Sequence, residues 1–338
     1  MKITFDAKRY FHNSRGLGNY SRDVVRLIRE YAPNWEVILM DKSGLSRSFM
    51  NIPPCNIYHG LSGELPFTIG RSSARSVVTM HDAIFIRYPE LYSPTYRWLF
   101  TQKVRFACKA ADTIIAISEQ TKRDMIEFFH ADESKIQVVY QGCSNIFRQS
   151  ISEEQIAEVK TRYTLPQNYL LDVGAIEPRK NLKNLIQAMA AAKIDLPLVA
   201  IGGHSKYADE AAALAQQVGV TLLLRHGLPF ADFPAIYKGA EVLCYPSIFE
   251  GFGIPILEAM CVGTPVLTST GSCFAETGGE AALYANPLEI EEIGSQLNNI
   301  LTNNHLRREM VAKGTIQANR FTDEQVAKNL ITLYSSLV

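Results

Sequence analysis

Short apolar runs alternate with segments of helical apolar spacing along most of the chain. Ten runs of strand length are predicted as strands: residues 3–7, 35–40, 56–58, 76–80, 112–117, 135–139, 169–173, 196–201, 221–224 and 241–245. Near-continuous apolar character is typical of strands that are buried on both faces of a parallel sheet. We therefore expect an α/β protein with helices on both sides of its sheets.

Helical spacing separates most of these strands, and helices are predicted at residues 19–31, 182–192, 208–218 and 256–261. After residues 265–268 the chain is expected to end in helical segments near residues 289–301, 305–318 and 323–337. Polar residues interrupt the alternation around residues 141–154, and the pattern then restarts. Two α/β halves in series predict two domains with a ligand cleft between them.

Length and composition agree with two folded domains. The chain has 338 residues, 47% of them hydrophobic and 20% charged, which is the composition of a folded soluble protein. The formal net charge is zero, but residues 1–150 hold 20 Lys and Arg against 14 Asp and Glu, and the rest holds 14 against 20. The basic first half either faces an anionic lipid or phosphorylated acceptor, or is an uneven solvated surface.

Cysteine usage and the N-terminal residues favour a cytoplasmic protein. The six cysteines show no paired spacing, and several lie in apolar runs, as buried free thiols in a reducing compartment do. The chain turns polar too early for a signal peptide, and no apolar run is long enough to span a bilayer. Any membrane contact would be peripheral, at the inner face of the cell membrane. The aromatic and basic segment 84–109 is the candidate for it, although such a helix most often packs its rings inward.

The stretch 246–262 has the pattern of a turn that follows a strand and leads into a helix. Gly251 and Gly253 let the backbone pass close to a ligand, and the amides at a helix start favour a phosphate. Glu250 and Glu258 bracket the turn with seven residues between them. A diphosphate would repel these carboxylates, so they are expected to bind sugar hydroxyls, and the pair favours a nucleotide-sugar. The same residues also fit an ordinary helix start with two solvated acids.

A pair of cations follows the first predicted strand of the second half. Arg179 offers a planar fork of donors and Lys180 a compact charge, a combination that suits a diphosphate. Adjacent cations at a strand-to-helix turn are also common on solvated surfaces. Because the stretch 246–262 follows a later strand of the same half, both groups can lie at one edge of the sheet.

The first half has candidates of its own. His81 and Asp82 follow directly after a predicted strand, where parallel sheets bind ligands, although such a histidine is more often structural. Gly16 and Gly18 partly match a dinucleotide-binding loop, but the third glycine is missing and the preceding strand ends too early. Asp41 does stand where a ribose-binding acid would be found, so a nicotinamide site stays open.

Several of these features together resemble the GT-B retaining glycosyltransferases of family 4. They are the run from Glu177 to Leu182, the Glu250-to-Glu258 motif, the Gly16-Leu17-Gly18 loop and the His81-Asp82 pair, and their order and spacing cover nearly the whole chain. The resemblance implies two Rossmann-like doubly wound parallel-sheet domains that face each other across a cleft. The acceptor-binding domain would be residues 1–148, the nucleotide-sugar-binding domain 149–321, and a C-terminal helix, 322–338, would pack back on the first domain.

The resemblance also implies roles for the matching residues of the second half. Arg179 and Lys180 would hold the leaving diphosphate, and Glu258 would bind the ribose hydroxyls. Glu250 would contact the donor sugar. The backbone amides of Phe252, Gly253 and Ile254 would assist it.

In the first half, the resemblance places His81 beside the reacting carbon and makes residues Gly16 to Gly18 a loop that closes over the phosphates. No cofactor or metal is expected, because the cations and helix amides would stabilise the departing diphosphate. Glycosyltransferases of the GT-A type use a metal held by Asp-x-Asp, and that motif is absent from this sequence.

The donor is predicted to be GDP-mannose, because residues 87–90 after His81 and Asp82 resemble bacterial mannosyltransferases that build surface polysaccharides. The sequence of residues 138–143 departs from the Asn-Gly-Val that is common at that junction. A UDP-linked donor stays open. The acceptor would be a glycan or a lipid-linked oligosaccharide, and no nucleic acid is expected.

Three other readings compete with a glycosyltransferase. A nucleotide-sugar 2-epimerase shares the architecture, but the cations and paired glutamates fit it less well. A non-catalytic carbohydrate-binding protein of this fold would be expected to lose the cations or His81, which are present. A nicotinamide dehydrogenase explains Gly16 and Gly18 and nothing in the second half.

Overall fold

The computed structural model describes residues 1–13, 16–41 and 47–338. It divides the chain into two compact units, Met1–Gln141 with Phe321–Val338, and Gly142–Arg320. Each unit holds one six-stranded sheet, and every strand pair in both sheets is parallel. The α/β prediction with two doubly wound sheets is therefore confirmed.

The first sheet is built from strands β1 Lys2–Asp6, β2 Glu36–Met40, β3 Ile57–Gly60, β4 Arg75–Met80, β5 Thr113–Ala116 and β6 Ile136–Val138. Their order across the sheet is β2-β1-β3-β4-β5-β6. The central strands β3, β4 and β5 are almost fully buried, as their apolar runs predict.

Helices cover this sheet, namely Lys8–His12, Gly16–Tyr31, Ile84–Arg87, Pro94–Ala110, Glu119–Phe129 and, from the chain end, Asp323–Ser336. Short 3₁₀ helices lie at Ile69–Arg71, Pro89–Leu91 and Glu133–Lys135. The C-terminal helix packs on the Gly16–Tyr31 helix, where Arg26 Nη1 donates to Asp323 Oδ2 at 2.7 Å. The end of the chain is thus part of the first unit.

The second sheet consists of β7 Leu170–Val173, β8 Leu198–Ile201, β9 Leu222–Arg225, β10 Val242–Tyr245, β11 Val266–Ser269 and β12 Ala282–Ala285. Its order is β12-β11-β10-β7-β8-β9, which is the Rossmann order with β7 and β10 side by side at its centre. In sheets of this kind ligands bind beyond the carboxyl ends of the two strands where the order reverses.

The helices of the second unit are Glu153–Arg162, Leu182–Ala191, Lys206–Val218, Phe233–Lys238, Ile254–Val262, Phe274–Gly278, Ile290–Thr302 and Asn304–Ala318. Short 3₁₀ helices occupy Asn145–Arg148, Pro178–Lys180 and Phe230–Asp232, and another, Asn319–Phe321, ends the unit. Ser152 caps the start of the Glu153–Arg162 helix. Its side chain accepts from Gln155 N, while the Gln155 side chain accepts from Ser152 N.

Most predicted elements lie within a few residues of the observed ones, but two strands were not predicted and one prediction fails. The ten predicted strands do not include β11 and β12, four-residue strands whose apolar patterns are too short to be distinctive. Gly16 and Gly18 were expected in a loop, yet they form the first turn of the Gly16–Tyr31 helix.

The boundary between the units falls at Gln141 and Gly142, seven residues before the predicted junction at 148. The segment in between packs into the second unit, where the buried ring of Phe147 meets Tyr237 edge-on at 5.4 Å. The chain re-enters the first unit at Phe321, whose ring packs against Tyr140 of that unit. Such packing between residues far apart leaves no signal in a local polar pattern.

Candidate active site

The cations and Glu250 meet at the carboxyl ends of β7 and β10. Arg179 and Lys180 lie in the turn after β7, and Glu250 lies in the turn after β10. Two bonds join these turns, because Ile248 N donates to Arg179 O at 2.8 Å and Arg179 Nη1 donates to Phe249 O at 2.6 Å. The fold therefore brings together residues that are about 70 positions apart.

Both cations approach the same oxygen of Glu250. Oε1 lies 2.6 Å from Arg179 Nη1 and 2.7 Å from Lys180 Nζ. The side chains of Arg179, Lys180 and Glu250 are only 12, 10 and 12% exposed. Arg179 also holds Glu177 Oε1 at 2.6 Å. Two cations on one acceptor at low exposure form a strong and compact anion-binding arrangement.

Gly174 makes room for the Lys180 side chain, and Gly202 makes room for the backbone of Gly174. Gly174 has φ +149°, and a Cβ there would lie 3.2 Å from Lys180 Cε. A Cβ on Gly202 would lie only 2.0 Å from the Gly174 carbonyl oxygen. Lys180 passes over Gly174 and donates to Tyr245 OH at 2.7 Å. The Pro178–Lys180 turn ends at Asn181, whose amide donates to the carbonyls of Pro246 and Pro287.

The two carboxyl groups of this cluster, Glu250 and Asp172, have pKa values that are shifted in opposite directions. Burial alone would raise the pKa of Glu250, but the charges of Lys180 and Arg179 outweigh it and lower that pKa. Glu250 is therefore ionised at neutral pH. Asp172, inside β7, is nearly inaccessible, and burial raises its pKa to about 7, with Glu250 adding to the rise and Lys180 opposing it. The protonation of Asp172 consequently changes near neutral pH.

Glu258 lies inside the Ile254–Val262 helix and has a partner of its own. Tyr237 OH donates to Glu258 Oε2 at 2.7 Å, and both residues are buried. Burial raises the pKa of Glu258 to about 7, while this hydrogen bond opposes the rise. The carboxyl group is therefore poised between its neutral and ionised forms at physiological pH.

The helix that carries Glu258 begins a few residues after Glu250 in the sequence. Gly253 lies in the left-handed region at φ +96°, and Ile254 starts the helix. Thr277 Oγ1 donates to Phe252 O at 2.5 Å and so fixes the approach to this turn. Amides at a helix start lack intrahelical acceptors and point along the axis, so they suit an anion.

His81 lies in the first unit, directly after β4. Its Nε2 is 2.9 Å from the Leu61 carbonyl oxygen, so this nitrogen carries the proton and Nδ1 is left as an acceptor. Burial lowers the pKa of His81 to about 4, which makes the ring neutral at pH 7. Tyr20 packs edge-on against it at 4.7 Å.

A cavity of about 150 Å³ adjoins His81 within the first unit. His81, Asp82 and Arg9 contribute polar atoms to its lining, and Tyr92, Tyr96 and Phe100 contribute aromatic rings. The ring pairs Tyr92–Tyr96 and Tyr96–Phe100 are stacked, with centroids 5.6 and 5.5 Å apart. Polar groups beside stacked rings form a surface that suits a polar ring-shaped ligand.

The two early glycines differ in their surroundings. A Cβ on Gly18 would lie 1.8 Å from the Asn13 carbonyl oxygen, so glycine is required there by close packing. At Gly16 no described atom lies within 4 Å of a Cβ. Asp41, considered for a nicotinamide site, pairs instead with His12 at 2.9 Å on the surface.

Several residues of these sites escaped the sequence analysis. Asp172 stands out only as a carboxylate inside an apolar strand, while Tyr237 and Tyr245 look like ordinary core residues. The first unit also holds a buried ion network in which Arg47 contacts Asp6 at 2.6 Å and Glu64 at 2.7 Å. The partners in this network are far apart in sequence, and no local motif indicates them.

A larger cavity of about 540 Å³ in the second unit does not belong to the candidate site. It is lined by residues that precede the strands, such as Asn168, Glu241 and Pro265. It therefore lies at the amino ends of β7, β10 and β11, whereas Arg179, Lys180 and Glu250 follow the carboxyl ends.

The family models match both parts of the chain. The model described as "Glycosyl transferases group 1" matches residues 152–317, and "Glycosyltransferase Family 4" matches residues 53–144. The chain is 30% identical over 294 residues to O-antigen chain mannosyltransferase B of Escherichia coli. The aligned region covers 83% of this chain and 74% of that protein. The chain belongs to glycosyltransferase family 4.

Solved structures show the same fold. Sucrose-phosphate synthase from Thermosynechococcus elongatus superposes with a TM-score of 0.81 at 18% identity, covering 100% of this chain and 99% of that one. Anabaena Alr3699/HepE in complex with UDP and glucose gives 0.79 at 19% identity, with 99% and 100% coverage. The family 4 chain thus has the GT-B fold. The family models and the mannosyltransferase relative make it a hexosyltransferase.

The match to longer relatives is partial. The chain is 28% identical to serotype-specific mannosyltransferases WbdA of Escherichia coli, but it spans only 33 to 37% of their length. Among its described residues, no helix combines the length and apolar character needed to cross a membrane. In the same residues, no group of three or more His, Cys, Asp or Glu side chains is arranged to hold a metal.

Proposed function

We propose that this family 4 enzyme is a retaining, metal-independent glycosyltransferase that moves mannose from GDP-mannose to a glycan or lipid-linked acceptor during cell-surface polysaccharide synthesis. The observation that carries the proposal is the convergence of Arg179 and Lys180 on one buried oxygen at the carboxyl ends of β7 and β10. Mannose is favoured because the O-antigen mannosyltransferase named above shares 30% identity with the chain.

The two cations hold the leaving group in this proposal. The donor diphosphate replaces Glu250 Oε1 as the partner of Arg179 and Lys180, and Glu250 turns to a hydroxyl of the donor sugar. Each charge-assisted hydrogen bond contributes on the order of 1.5–3 kcal/mol. The amides of Phe252, Gly253 and Ile254 add donors at the start of a helix. Together they stabilise the charge that builds on the diphosphate as the bond to the sugar breaks.

Glu258 binds the ribose of the nucleotide. Its ionised carboxylate accepts from the ribose hydroxyls, while the Tyr237 hydroxyl keeps Oε2 oriented. The nucleotide is thereby positioned through a residue distinct from those that hold the diphosphate. The second unit is accordingly the proposed nucleotide-sugar-binding domain.

Transfer proceeds with retention of the anomeric configuration. The acceptor hydroxyl attacks the anomeric carbon on the face that the diphosphate leaves, and the departing phosphate oxygen takes the hydroxyl proton. His81 is neutral and presents Nδ1 as an acceptor, so its role is to hold a sugar hydroxyl rather than to donate a proton as a cation. The first unit is the proposed acceptor-binding domain, with the 150 Å³ cavity beside His81 as the place for the acceptor sugar.

A thermal-shift panel with GDP, UDP, ADP, CMP and NAD tests the donor, because a ligand that binds only the folded state raises the melting temperature. Stabilisation by GDP alone supports the mannose donor. Stabilisation by UDP instead would redirect the search to UDP-linked sugars, and a response to NAD alone would contradict the whole proposal. Transfer that survives EDTA supports metal independence, and its loss in EDTA would overturn that part.

Contact with the inner face of the cell membrane is proposed for residues 84–109. Trp98 and Leu99 on the Pro94–Ala110 helix are 65 and 50% exposed, and Arg105 and Lys109 are exposed on the same helix. Exposed rings beside cations favour an anionic bilayer surface. Sedimentation with vesicles of anionic phospholipid should deplete the protein from solution, and Trp98→Ser should reduce that depletion. Equal recovery of both proteins in the supernatant would contradict the contact.

A further inference from the structure

Two cysteines of the second unit lie in direct contact although they are 118 residues apart. Cys143 Sγ and Cys261 Sγ are 3.5 Å from each other, and both are free thiols. Cys143 is buried in the segment that follows the unit boundary, and Cys261 is partly exposed in the last turn of the Ile254–Val262 helix. The two sulfur atoms would need to move only modestly towards each other to reach the S–S bond length of a disulfide, about 2.05 Å.

The surroundings give the two thiols different roles. The hydrogen bond with Cys143 lowers the pKa of Cys261, and the charge of Arg148 lowers it further, whereas burial and Glu258 oppose the change. For Cys143 the same hydrogen bond and burial raise the pKa. The more exposed thiol is thus the better nucleophile, and a second thiol stands beside it, which is the arrangement of a redox-sensitive cysteine pair.

We propose that Cys143 and Cys261 are a modification site at which a peroxide forms a reversible disulfide. The Cys261 thiolate attacks one peroxide oxygen, the O–O bond breaks, and a sulfenic acid and hydroxide form; the hydroxide becomes water by taking up the proton that the Cys261 thiol released on ionising. The Cys143 sulfur then attacks the Cys261 sulfur, and the hydroxyl group leaves as water with the Cys143 proton. Two thiols are oxidised by two electrons in all, and one hydrogen peroxide is reduced to two waters.

The disulfide would act on the helix that carries Glu258. Cys261 follows Glu258 by three residues, close to one helical turn, so pulling its sulfur towards Cys143 shifts the turn that positions the carboxylate. Displacements of about 1 Å can lower enzymatic rates by about 100-fold. This consequence depends on the proposed function, whereas formation of the disulfide does not.

Peptide mapping of the intact protein tests the modification itself. After hydrogen peroxide treatment and non-reducing digestion, mass spectrometry should find the Cys143 peptide joined to the Cys261 peptide, and dithiothreitol should release both. A Cys108→Ser variant should still form this cross-link, since Cys108 is buried in the first unit. Oxidation that yields only sulfinic acid at Cys261, or leaves both thiols reduced, would overturn the proposal.

The functional consequence is measured separately on the same samples. Binding of GDP-mannose to the oxidised wild type should be about tenfold weaker than to the reduced form, because a displaced Glu258 carboxylate loses about one hydrogen bond to the ribose. A Cys143→Ser variant, checked for an unchanged melting profile, should show no such loss after peroxide. If the cross-link forms and binding is unchanged, the coupling to Glu258 is wrong. If the reduced protein binds no nucleotide-sugar, the proposed function fails while the disulfide stands.

Discussion

Lys180 keeps a charged ammonium group almost out of water. Its side chain is 10% exposed, and its Nζ contacts both Tyr245 OH and Glu250 Oε1. A buried lysine is costly unless its charge is balanced, and Glu250 balances it here. Such placement near a cluster of perturbed carboxyl groups is typical of functional sites.

We expect Lys180→Ala to lower kcat by about 10- to 100-fold, because one charge-assisted contact to the leaving diphosphate is lost. The matched control is Lys183→Ala, three positions later in the Leu182–Ala191 helix, where the lysine pairs with Glu210 on the surface. Steady-state kinetics with saturating donor should separate the variants. Equal turnover of Lys180→Ala and Lys183→Ala would contradict the assignment.

Glu258 predicts a pH dependence of donor binding. Burial disfavours the ionised form of Glu258, so its pKa lies near 7. The ribose hydroxyls need the ionised carboxylate as their acceptor. Binding should therefore strengthen as pH rises through 7, by about tenfold between pH 6 and pH 8. GDP-mannose is the ligand to use, because its diphosphate has no free terminal phosphate that titrates in this range.

Calorimetry on Glu258→Gln provides the control, since the amide cannot ionise. This variant should bind more weakly at pH 8 and lose most of the pH dependence. A residual slope would report on Asp172, whose pKa also lies near 7. An unaltered slope in the variant would show that Glu258 is not the titrating group.

At the scale of elements, the candidate site depends on how closely the loops after β7 and β8 pack. Gly174 follows β7 and Gly202 follows β8, and their backbones are too close for a side chain on Gly202. The loop after β7 carries the two cations to their position. Precise packing between two loops thus sets where the charges lie.

Gly202→Ala should therefore disturb the site from outside it. The added Cβ would lie 2.0 Å from Gly174 O, and overpacking of this kind costs about 1–3 kcal/mol. The neighbouring Gly203→Ala meets no described atom within 4 Å and should change the unfolding free energy by no more than about 0.5 kcal/mol. Urea unfolding followed by far-UV circular dichroism compares them, and equal stability of the two variants would refute the packing argument.

At the scale of the whole molecule, the chain returns to its first unit at the end. Tyr334 lies in the C-terminal helix, and its hydroxyl contacts Nδ1 of the buried His59 at 2.7 Å. Burial lowers the pKa of His59 to about 3, so the ring is neutral and relies on Tyr334 and Thr79 as hydrogen-bond partners. The last helix is consequently part of the core of the first unit.

Tyr334→Phe should destabilise the first unit by about 1–3 kcal/mol, because the buried imidazole loses a partner. The two tryptophans of the sequence, Trp35 and Trp98, both lie in this unit, so tryptophan fluorescence follows its unfolding. Tyr31→Phe is the control, since Tyr31 is 40% exposed on the surface. A midpoint for Tyr334→Phe that equals the control would mean that the contact with His59 contributes nothing.

The sequence by itself determined the features whose signals are local. Apolar runs and helical spacing predicted ten strands and the alternation of α and β because burial on both faces leaves a continuous pattern. The short motifs around Arg179 and Lys180, and from Glu250 to Glu258, were visible because each forms a single strand-to-helix turn. These motifs predict a nucleotide-sugar site.

Only the tertiary structure decided which groups meet and how they are charged. The order of β7 and β10 places Glu250 on both cations, and burial moves the pKa values of Asp172 and Glu258 towards 7. The contacts of Gly202 with Gly174 and of Cys143 with Cys261 likewise join residues that no local pattern connects. Partner choice and ionisation depend on packing between distant segments, because desolvation and Coulomb interactions act through space and not along the chain.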